Sequence, residues 1–454
     1  MPTALLWFRR DLRLADHPAL LAAIDAAGPG GSVVPVFVLD DRLYGPAGDP
    51  RRRFLLDCLT ALDASTGGAL VRRTGDPAVV LPRLADELGA ASVHVTADAG
   101  PYGRRRDAAV ERALGEVPLV RTGSPYAVAP GRVVKRDGTP FQVFTPFARA
   151  WREHGWHSPA VAPDVVPWQT GVRSDDAPPA PDLGDVQLPE AGEAAALTAW
   201  RTFRDERLLG YDEGRDIPGT NGTSRLSAYL KYGCIHPRTL LADLAGERGE
   251  SARRYTDELA WRDFYADVLW HRPDSAREYL DPRLQGMGYD SGPDAEALVR
   301  AWQTGRTGFP IVDAGMRQLL GEAYVHNRVR MIVASFLVKD LHQEWTVGAR
   351  WFMSHLVDGD LASNNHGWQW VAGTGTDASP YYRVFNPVTQ GKKFDPDGAY
   401  VRRWVPELRD LDATHVHEPW TAPGGVPAGY PEPVVDHAHE RLVSLDRYNA
   451  VRAR

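Results

Sequence analysis

Within the first 121 residues, five short β-rich runs (4–8, 33–39, 69–72, 92–96 and 119–121) alternate with helical patterns near 17–27, 50–65, 76–89 and 104–115. That alternation is the strongest constraint on the fold, because strands separated by single helices pair in parallel and carry helices on both faces of the sheet. It predicts a doubly wound, five-stranded, Rossmann-like α/β domain over residues 1–127. Asp16 and Asp76 stand where helix N-caps belong, with Pro18 and Pro77 in the first turns. From about 158 to 193, Pro, Ala, Gly and Asp crowd together without periodicity, so residues 128–195 read as a long connector. Beyond Ala195, apolar positions recur at helical spacing near 196–208, 224–231, 237–246, 253–270, 294–303, 311–322, 326–341 and 347–356. A nearly all-helical second domain is therefore expected over 196–454.

The 454 residues suffice for two apolar cores. No apolar run approaches the roughly 20 residues of a membrane span, and Leu5-Leu-Trp-Phe8 is too short and too soon followed by Arg9 and Arg10 for a signal peptide. A cytoplasmic protein without membrane contact, and a monomer, is expected. Cys58 and Cys234 are the only cysteines, too few for a disulfide framework or a thiolate zinc site, so no metal is expected. The net charge of −7 does not advertise a nucleic-acid partner, yet a local basic face can coexist with an acidic remainder.

Several clusters carry chemistry. Thr223-Ser-Arg-Leu-Ser227 follows Gly219-Thr-Asn-Gly222 and opens a helical run, gathering hydroxyls and backbone N–H groups that suit phosphate; a plain N-cap is the alternative. Glu258, Trp261, Arg262 and Tyr265 fall at i, i+3, i+4 and i+7, so one helical face offers an acceptor, a stacking plane and a cation. A surface Glu-to-Arg pair beside a core Trp explains them equally well. Asn327 and Met331 share a face with a spacing of four, although a lone Met is ordinarily core filler. The stretch from Asp358 to Asp377 crowds carboxylates, amides and indoles in a way no ordinary core helix needs. Two phosphate-loop patterns are set aside. Gly373-Thr-Gly-Thr-Asp-Ala378 has no preceding strand, and Gly391-Lys392 lacks the upstream spacing.

Together with Trp7-Phe-Arg-Arg-Asp-Leu-Arg-Leu14, these motifs make the chain resemble the DNA photolyase and cryptochrome family over nearly its whole length, most closely class I enzymes acting on cyclobutane pyrimidine dimers. The resemblance implies an FAD-binding C-terminal domain, damaged DNA as partner, and light-dependent electron transfer from reduced FAD to a flipped-out dimer. Matched residue by residue, Tyr211, Thr223, Ser224, Arg225, Leu226, Ser227, Glu258, Arg262, Arg330, Asp358, Gly359, Asp360 and Asn364 would hold the flavin, with Arg330 and Asp358 paired and Asn364 facing N5. Glu258, Asn364, Asn327 and Met331 would act in catalysis. Arg215, Trp261, Asn327, Arg328, Met331, Trp370 and Arg383 would meet substrate or DNA, with Lys392 and Lys393 as further phosphate contacts. Trp368 and Trp345 match two members of a reducing tryptophan chain, and Tyr289 is the aromatic nearest the position of the third.

Three positions discriminate within the family. Asn327 and Met331 replace the two histidines of (6-4) enzymes, and Asn364 stands where plant cryptochromes carry Asp, which disfavours a blue-light photoreceptor. Gly100-Pro-Tyr-Gly-Arg-Arg-Arg-Asp107 resembles the deazaflavin-antenna type, implying 8-hydroxy-5-deazaflavin at Tyr102, Arg104 and Asp107, with methenyltetrahydrofolate or no antenna as alternatives. A basic surface loop accounts for the same residues equally well.

Overall fold

The structure, a computed structural model, describes residues 1–377 and 382–453. Five strands, β1 (Thr3–Phe8), β2 (Ser32–Leu39), β3 (Val71–Thr74), β4 (Ala90–Val95) and β5 (Leu119–Arg121), form one parallel sheet in the order β3-β2-β1-β4-β5. Between them run α1 (Pro18–Ala27), α2 (Asp49–Ser65), α3 (Pro77–Leu88) and α4 (Pro101–Leu114). All six residues of the central β1 are buried, as expected of a strand covered on both faces. The alternation expected from the sequence is realised.

Of the two expected N-caps, Asp76 caps α3, its carboxylate accepting from Ala78 N at 3.0 Å. Asp16 does not cap α1. That role falls to His17, whose Nδ1 accepts from Leu20 N at 3.1 Å. Asp16 instead adopts a left-handed φ of 46° and accepts from Arg238 Nη2 at 2.6 Å and Ala160 N at 2.7 Å. An Asp beside a Pro fits either role locally; a buried guanidinium 222 residues away decides.

The stretch expected as a connector contains a helix, α5 (Phe144–His154), which buries Phe147, Ala148 and Trp151. Further on, Gln169 N donates to Val33 O and Asp175 N to Arg72 O, so this segment runs along the sheet and covers the open β3 edge. Helices α6 (Glu193–Glu206), α7 (Ser227–Tyr232), α8 (Pro237–Leu244) and α9 (Glu250–His271) follow. One compact unit comprises Met1–Asp182, Pro189–Leu208 and Ser224–Pro273. Compactness therefore joins α6 to α9 to the sheet, rather than dividing the chain at the connector. Polar anchors on α9 explain why. Asp263 accepts from Val128 N at 2.9 Å and Trp151 Nε1 at 3.0 Å, and Asp267 from Gly131 N at 2.6 Å.

The other unit comprises 183–188, 209–223 and the chain from Asp274 onward. It contains α10 (Pro293–Gln303), α11 (Pro310–Glu322), α12 (Asn327–Lys339), α13 (Trp345–His355), α14 (Leu361–Ala372), α15 (Pro387–Phe394), α16 (Ala399–Trp404) and α17 (His437–Arg452). Gly315 on α11 admits α12 closely, since a Cβ there would lie 2.4 Å from Val329 Cγ1. Apolar residues of α11 to α14 form the core.

Burial pushes the Asp263 carboxyl up to about 6, against the charge of Arg262 and the hydrogen bonds it accepts. The folded carboxyl thus holds its proton more tightly than the unfolded one, so its contribution to stability is greatest at low pH and is lost as pH rises through about 6. Between pH 4 and 7 the stability of Asp263→Asn relative to the parent should improve by up to about 3 kcal/mol. Parallel pH profiles in chemical denaturation would show that Asp263 titrates normally.

Candidate functional site

In the sheet-bearing unit, α9 exposes the four residues singled out by spacing. Glu258, Trp261, Arg262 and Tyr265 are half-buried, whereas Leu259, Ala260, Asp263 and Phe264 between them are buried. Trp261 lies flat on Phe144 of α5, ring centroids 3.7 Å apart and planes 7° from parallel, with Phe264 edge-on at 5.7 Å. Its face is thus fixed before any ligand arrives, and Phe144 is a support that the sequence reading missed because it missed α5. Arg262 donates to Pro125 O at 2.9 Å and Leu230 O at 3.1 Å and lies over Tyr126. The guanidinium therefore ties the end of α7 to the segment after β5.

The run preceding α7 is not a simple cap. Leu226 occupies the N-cap position and supplies no side-chain hydrogen bond, and Arg225 has a positive φ of 53°. Ser224 Oγ pairs with Tyr255 OH at 2.8 Å, while Ser227 is exposed and no partner among the described residues meets its hydroxyl. Thr223 and Tyr211 belong to the other unit.

The antenna triad is only partly open. Tyr102 donates to Asp40, and burial together with that carboxylate pushes its phenol up to about 12. Arg104 stacks over Trp270 at 3.9 Å. Asp107 is buried between Arg9 and Arg106, both of which stack on Trp7, so its charge is committed inside the protein. These residues lie on α4 and not on a surface loop, because Pro101 starts a helix immediately after Gly100.

In the helical unit, α12 starts at Asn327, capped by His326, whose Nδ1 accepts from Arg328 N at 3.2 Å. Asn327 is exposed, and Met331 one turn later packs half-buried on the core. Arg330 reaches both oxygens of Asp358 at 2.9 and 3.2 Å, as the resemblance implied, and donates through Nε to Val325 O at 2.7 Å. The Asp358 carboxylate is buried, so removing Arg330 would strand a charge. Gly359 separates Asp358 from Asp360, and Asp360 caps α14 through Ser363 N at 3.1 Å.

The crowded stretch from Asp358 is thus largely helical, and its polar face points inward. Asn365 donates to Ala276 O, His366 Nε2 pairs with Ser275 Oγ at 2.9 Å, and Gln369 donates to Ser275 O and Glu278 O while accepting from Leu280 N. Burial lowers His366 to about 4, which keeps it neutral. These bonds fix the rotation of α14. Asn364 Nδ2 is occupied by Ala349 O at 3.1 Å and Asn365 Oδ1 at 2.9 Å, and no donor among the described residues meets its own Oδ1. Gly373, with φ 79°, ends this helix, which disposes of the dinucleotide pattern there; Ala378 lies outside the described residues.

On the same helix Trp368 is buried against Phe352 at 5.0 Å and Trp302 at 6.1 Å, in space left by Gly348. Trp345 is buried with Tyr279 edge-on at 6.1 Å. Tyr279 OH in turn donates to Glu344 Oε1 and meets Tyr289 OH, both at 3.0 Å. Tyr279 was not legible, since only the fold brings it beside Trp345 and onto the carboxylate of Glu344. Trp370 is half-buried and donates through Nε1 to Asp377 O at 3.2 Å. Arg215 stacks over Tyr211, and Arg383 accepts through its carbonyl from Lys339. Lys392 is paired with Glu418, which removes it from the free cations, and Lys393 lies over Phe394. Among the described residues no side-chain group suits a metal ion, and no helix is long and apolar enough to cross a membrane.

Residues 4–165 match the family described as DNA photolyase, and residues 255–450 match the FAD binding domain of DNA photolyase. A deoxyribodipyrimidine photo-lyase of Streptomyces griseus is 42% identical over 457 residues, covering 97% of this chain and 98% of that protein. A bacterial class III photolyase from Agrobacterium tumefaciens superimposes with a TM-score of 0.90 at 38% identity, over 100% of this chain and 98% of that one. A cryptochrome of Synechocystis sp. PCC6803 also superimposes with a TM-score of 0.90, at 26% identity over 98% of this chain and 99% of that one. The chain belongs to the DNA photolyase family.

Proposed function

We propose that the protein is a light-dependent deoxyribodipyrimidine photo-lyase, which splits cyclobutane pyrimidine dimers in DNA with bound FAD. The observation that carries this reading is the 42% identity, over 97% of the chain, with an enzyme named for that activity. Fold likeness extends to a cryptochrome as well, so it is the full-length identity and the polar residues of the site that favour repair.

The residues present fit FAD. Asn364 offers a fixed, unengaged carbonyl oxygen, Ser227 an open hydroxyl, and Arg330 with Asp358 a buried pair of opposite charges. Thr223 to Ser227 with Tyr211 would hold the diphosphate, Arg262 would support α7 behind it, and Gly359 and Asp360 would line the turn beside Asp358. When bound, FAD supplies the light absorption and the one-electron chemistry, and the protein's share is positioning, exclusion of water and tuning. Asn364 contributes a neutral acceptor that adds no charge beside the ring. Glu258 and Asn327 would hydrogen-bond the dimer, Met331 would pack on it, and Trp261 and Trp370 would supply surfaces that replace lost base stacking. Arg215 and Arg383 would grip flanking phosphates.

Residues 196–454 are thus assigned to flavin and DNA, and residues 1–127 to the antenna, joined by 128–195. We assign the class I subtype from Asn327 and Met331, and an 8-hydroxy-5-deazaflavin antenna from the Gly100 to Asp107 motif, with Tyr102 as its principal contact. Supplied deazaflavin that neither binds nor extends the action spectrum would remove that assignment. A cytoplasmic monomer completes the reading, and a sedimenting species heavier than one chain would contradict it.

The deciding experiment is repair of defined oligonucleotides carrying cyclobutane or (6-4) lesions, in blue light and in darkness. Cyclobutane dimers should be repaired only in light, and Glu258→Ala should lower repair more than flavin retention, by at least about tenfold. A flavin-bound protein that repairs neither lesion in light would be a photoreceptor instead. Trp368→Phe should slow photoreduction of the flavin strongly while pre-reduced protein still repairs. Equal photoreduction rates would exclude Trp368 from the route.

A further inference from the structure

Trp345 is buried, and among the described residues none accepts a hydrogen bond from its Nε1. An oxidised Trp345 therefore has no protein group to take its indole proton, and it returns to neutrality by receiving an electron. The buried ring of Tyr279 lies edge-on to it at 6.1 Å. Beyond Tyr279, the half-buried Tyr289 brings its hydroxyl within 3.0 Å of the Tyr279 hydroxyl. All three rings belong to the helical unit.

A phenol gives up an electron easily only when its proton leaves as well, because the phenol radical cation is a very strong acid. Burial, reinforced by the Tyr289 hydroxyl and the Glu344 carboxylate, pushes the Tyr279 phenol far above its ordinary value, so losing the proton to solvent before oxidation is closed. Glu344 supplies an acceptor inside the protein. Its Oε1 accepts from Tyr279 OH at 3.0 Å, and its Oε2 accepts from Thr346 Oγ1 at 2.8 Å, which holds the carboxylate in place. A phenol has one proton, and a carboxylate is a stronger acceptor than a second phenol, so Tyr279 directs that proton at Glu344.

We propose that Tyr279 is the electron donor to Trp345, that Glu344 takes its proton, and that Tyr289 hydrogen-bonds the phenoxyl oxygen that results. One electron passes from Tyr279 to the Trp345 radical cation, the Tyr279 O–H bond breaks, and the proton joins Glu344 Oε1. Indole, phenoxyl radical and carboxylic acid are then all neutral. A cation and a carboxylate disappear together from a poorly solvated place, and the electron cannot return until the proton does. The inference rests on the proposed route through Trp368 and Trp345 for the oxidising equivalent.

The test is transient absorption of the full-length, flavin-loaded protein after a light pulse, in water and in deuterium oxide. Parent protein, Tyr279→Phe, Tyr289→Phe, Glu344→Gln and Trp368→Phe are compared. In the parent, the broad green absorption of a tryptophanyl radical should give way to the narrow violet band of a phenoxyl radical, more slowly in deuterium oxide. Tyr279→Phe should lose the violet band while keeping the tryptophanyl signal, which also shows that this variant is folded and oxidised as far as Trp345. Glu344→Gln keeps the phenol but removes the base, and should slow the rise of the violet band by at least about a hundredfold. Tyr289→Phe should still form it. Frozen after illumination, the parent should show a tyrosyl resonance in electron paramagnetic resonance that Tyr279→Phe lacks. A violet band undiminished in Tyr279→Phe, or lost only in Tyr289→Phe, would overturn the assignment of Tyr279. A rise indifferent to Glu344→Gln and to deuterium would overturn the role of Glu344. Radicals formed as fast in Trp368→Phe as in the parent would show a different failure, that of the route through Trp368, and the inference would fall with it.

Discussion

The inward-facing polar side of α14 is the constraint on which the candidate site depends. Asn365 and Gln369 satisfy the backbone of residues 275–280 from within the core, and His366 meets the Ser275 hydroxyl there, where an unmade hydrogen bond costs about 1–3 kcal/mol. A rotation of α14 would break all of these bonds together. The orientation of Asn364 and the burial of Trp368 therefore follow from bonds made on other faces of the helix, by residues that need touch no ligand. The Arg330 to Asp358 pair adds a second fixed point just before the same helix.

Rigid support recurs in the other unit. Trp261 is held flat by Phe144, and Arg262 is used up on two backbone carbonyls. Trp261, Arg262 and Arg330 are each held by a neighbour, which is the arrangement that positioning catalysis requires. Electrostatics follow the same logic. Burial keeps His366 neutral within α14, while Arg9, Arg106, Asp98 and Asp107 cancel one another around α4.

The sheet was legible because parallel strands buried on both faces are continuous apolar runs, and most helices were legible because their periodicity was unbroken. The face of Glu258, Trp261, Arg262 and Tyr265 came out as its spacing predicted. What failed did so for identifiable reasons. α14 inverts the usual pattern by burying amides and an imidazole, so periodicity did not reveal it. Asp16 carries every local mark of an N-cap, but its true partner, Arg238, is distant in sequence. The pairing of Arg328 with Asp216 was not legible either, since the two lie 112 residues apart and only the fold brings them together. Tyr279 and Glu344 lie 10 and 55 residues from Tyr289 and meet it or its partner only in three dimensions.

In the proposed site Asn364 presents a neutral oxygen to the flavin. The most direct measurement is a redox titration of bound flavin, followed by absorption, in the parent protein and in Asn364→Asp. A carboxylate in that place would repel the anionic reduced form, so the variant should resist full reduction, with a midpoint lowered by tens of millivolts and light-driven repair reduced. Identical spectra and midpoints in the two proteins would show that Asn364 does not face the flavin.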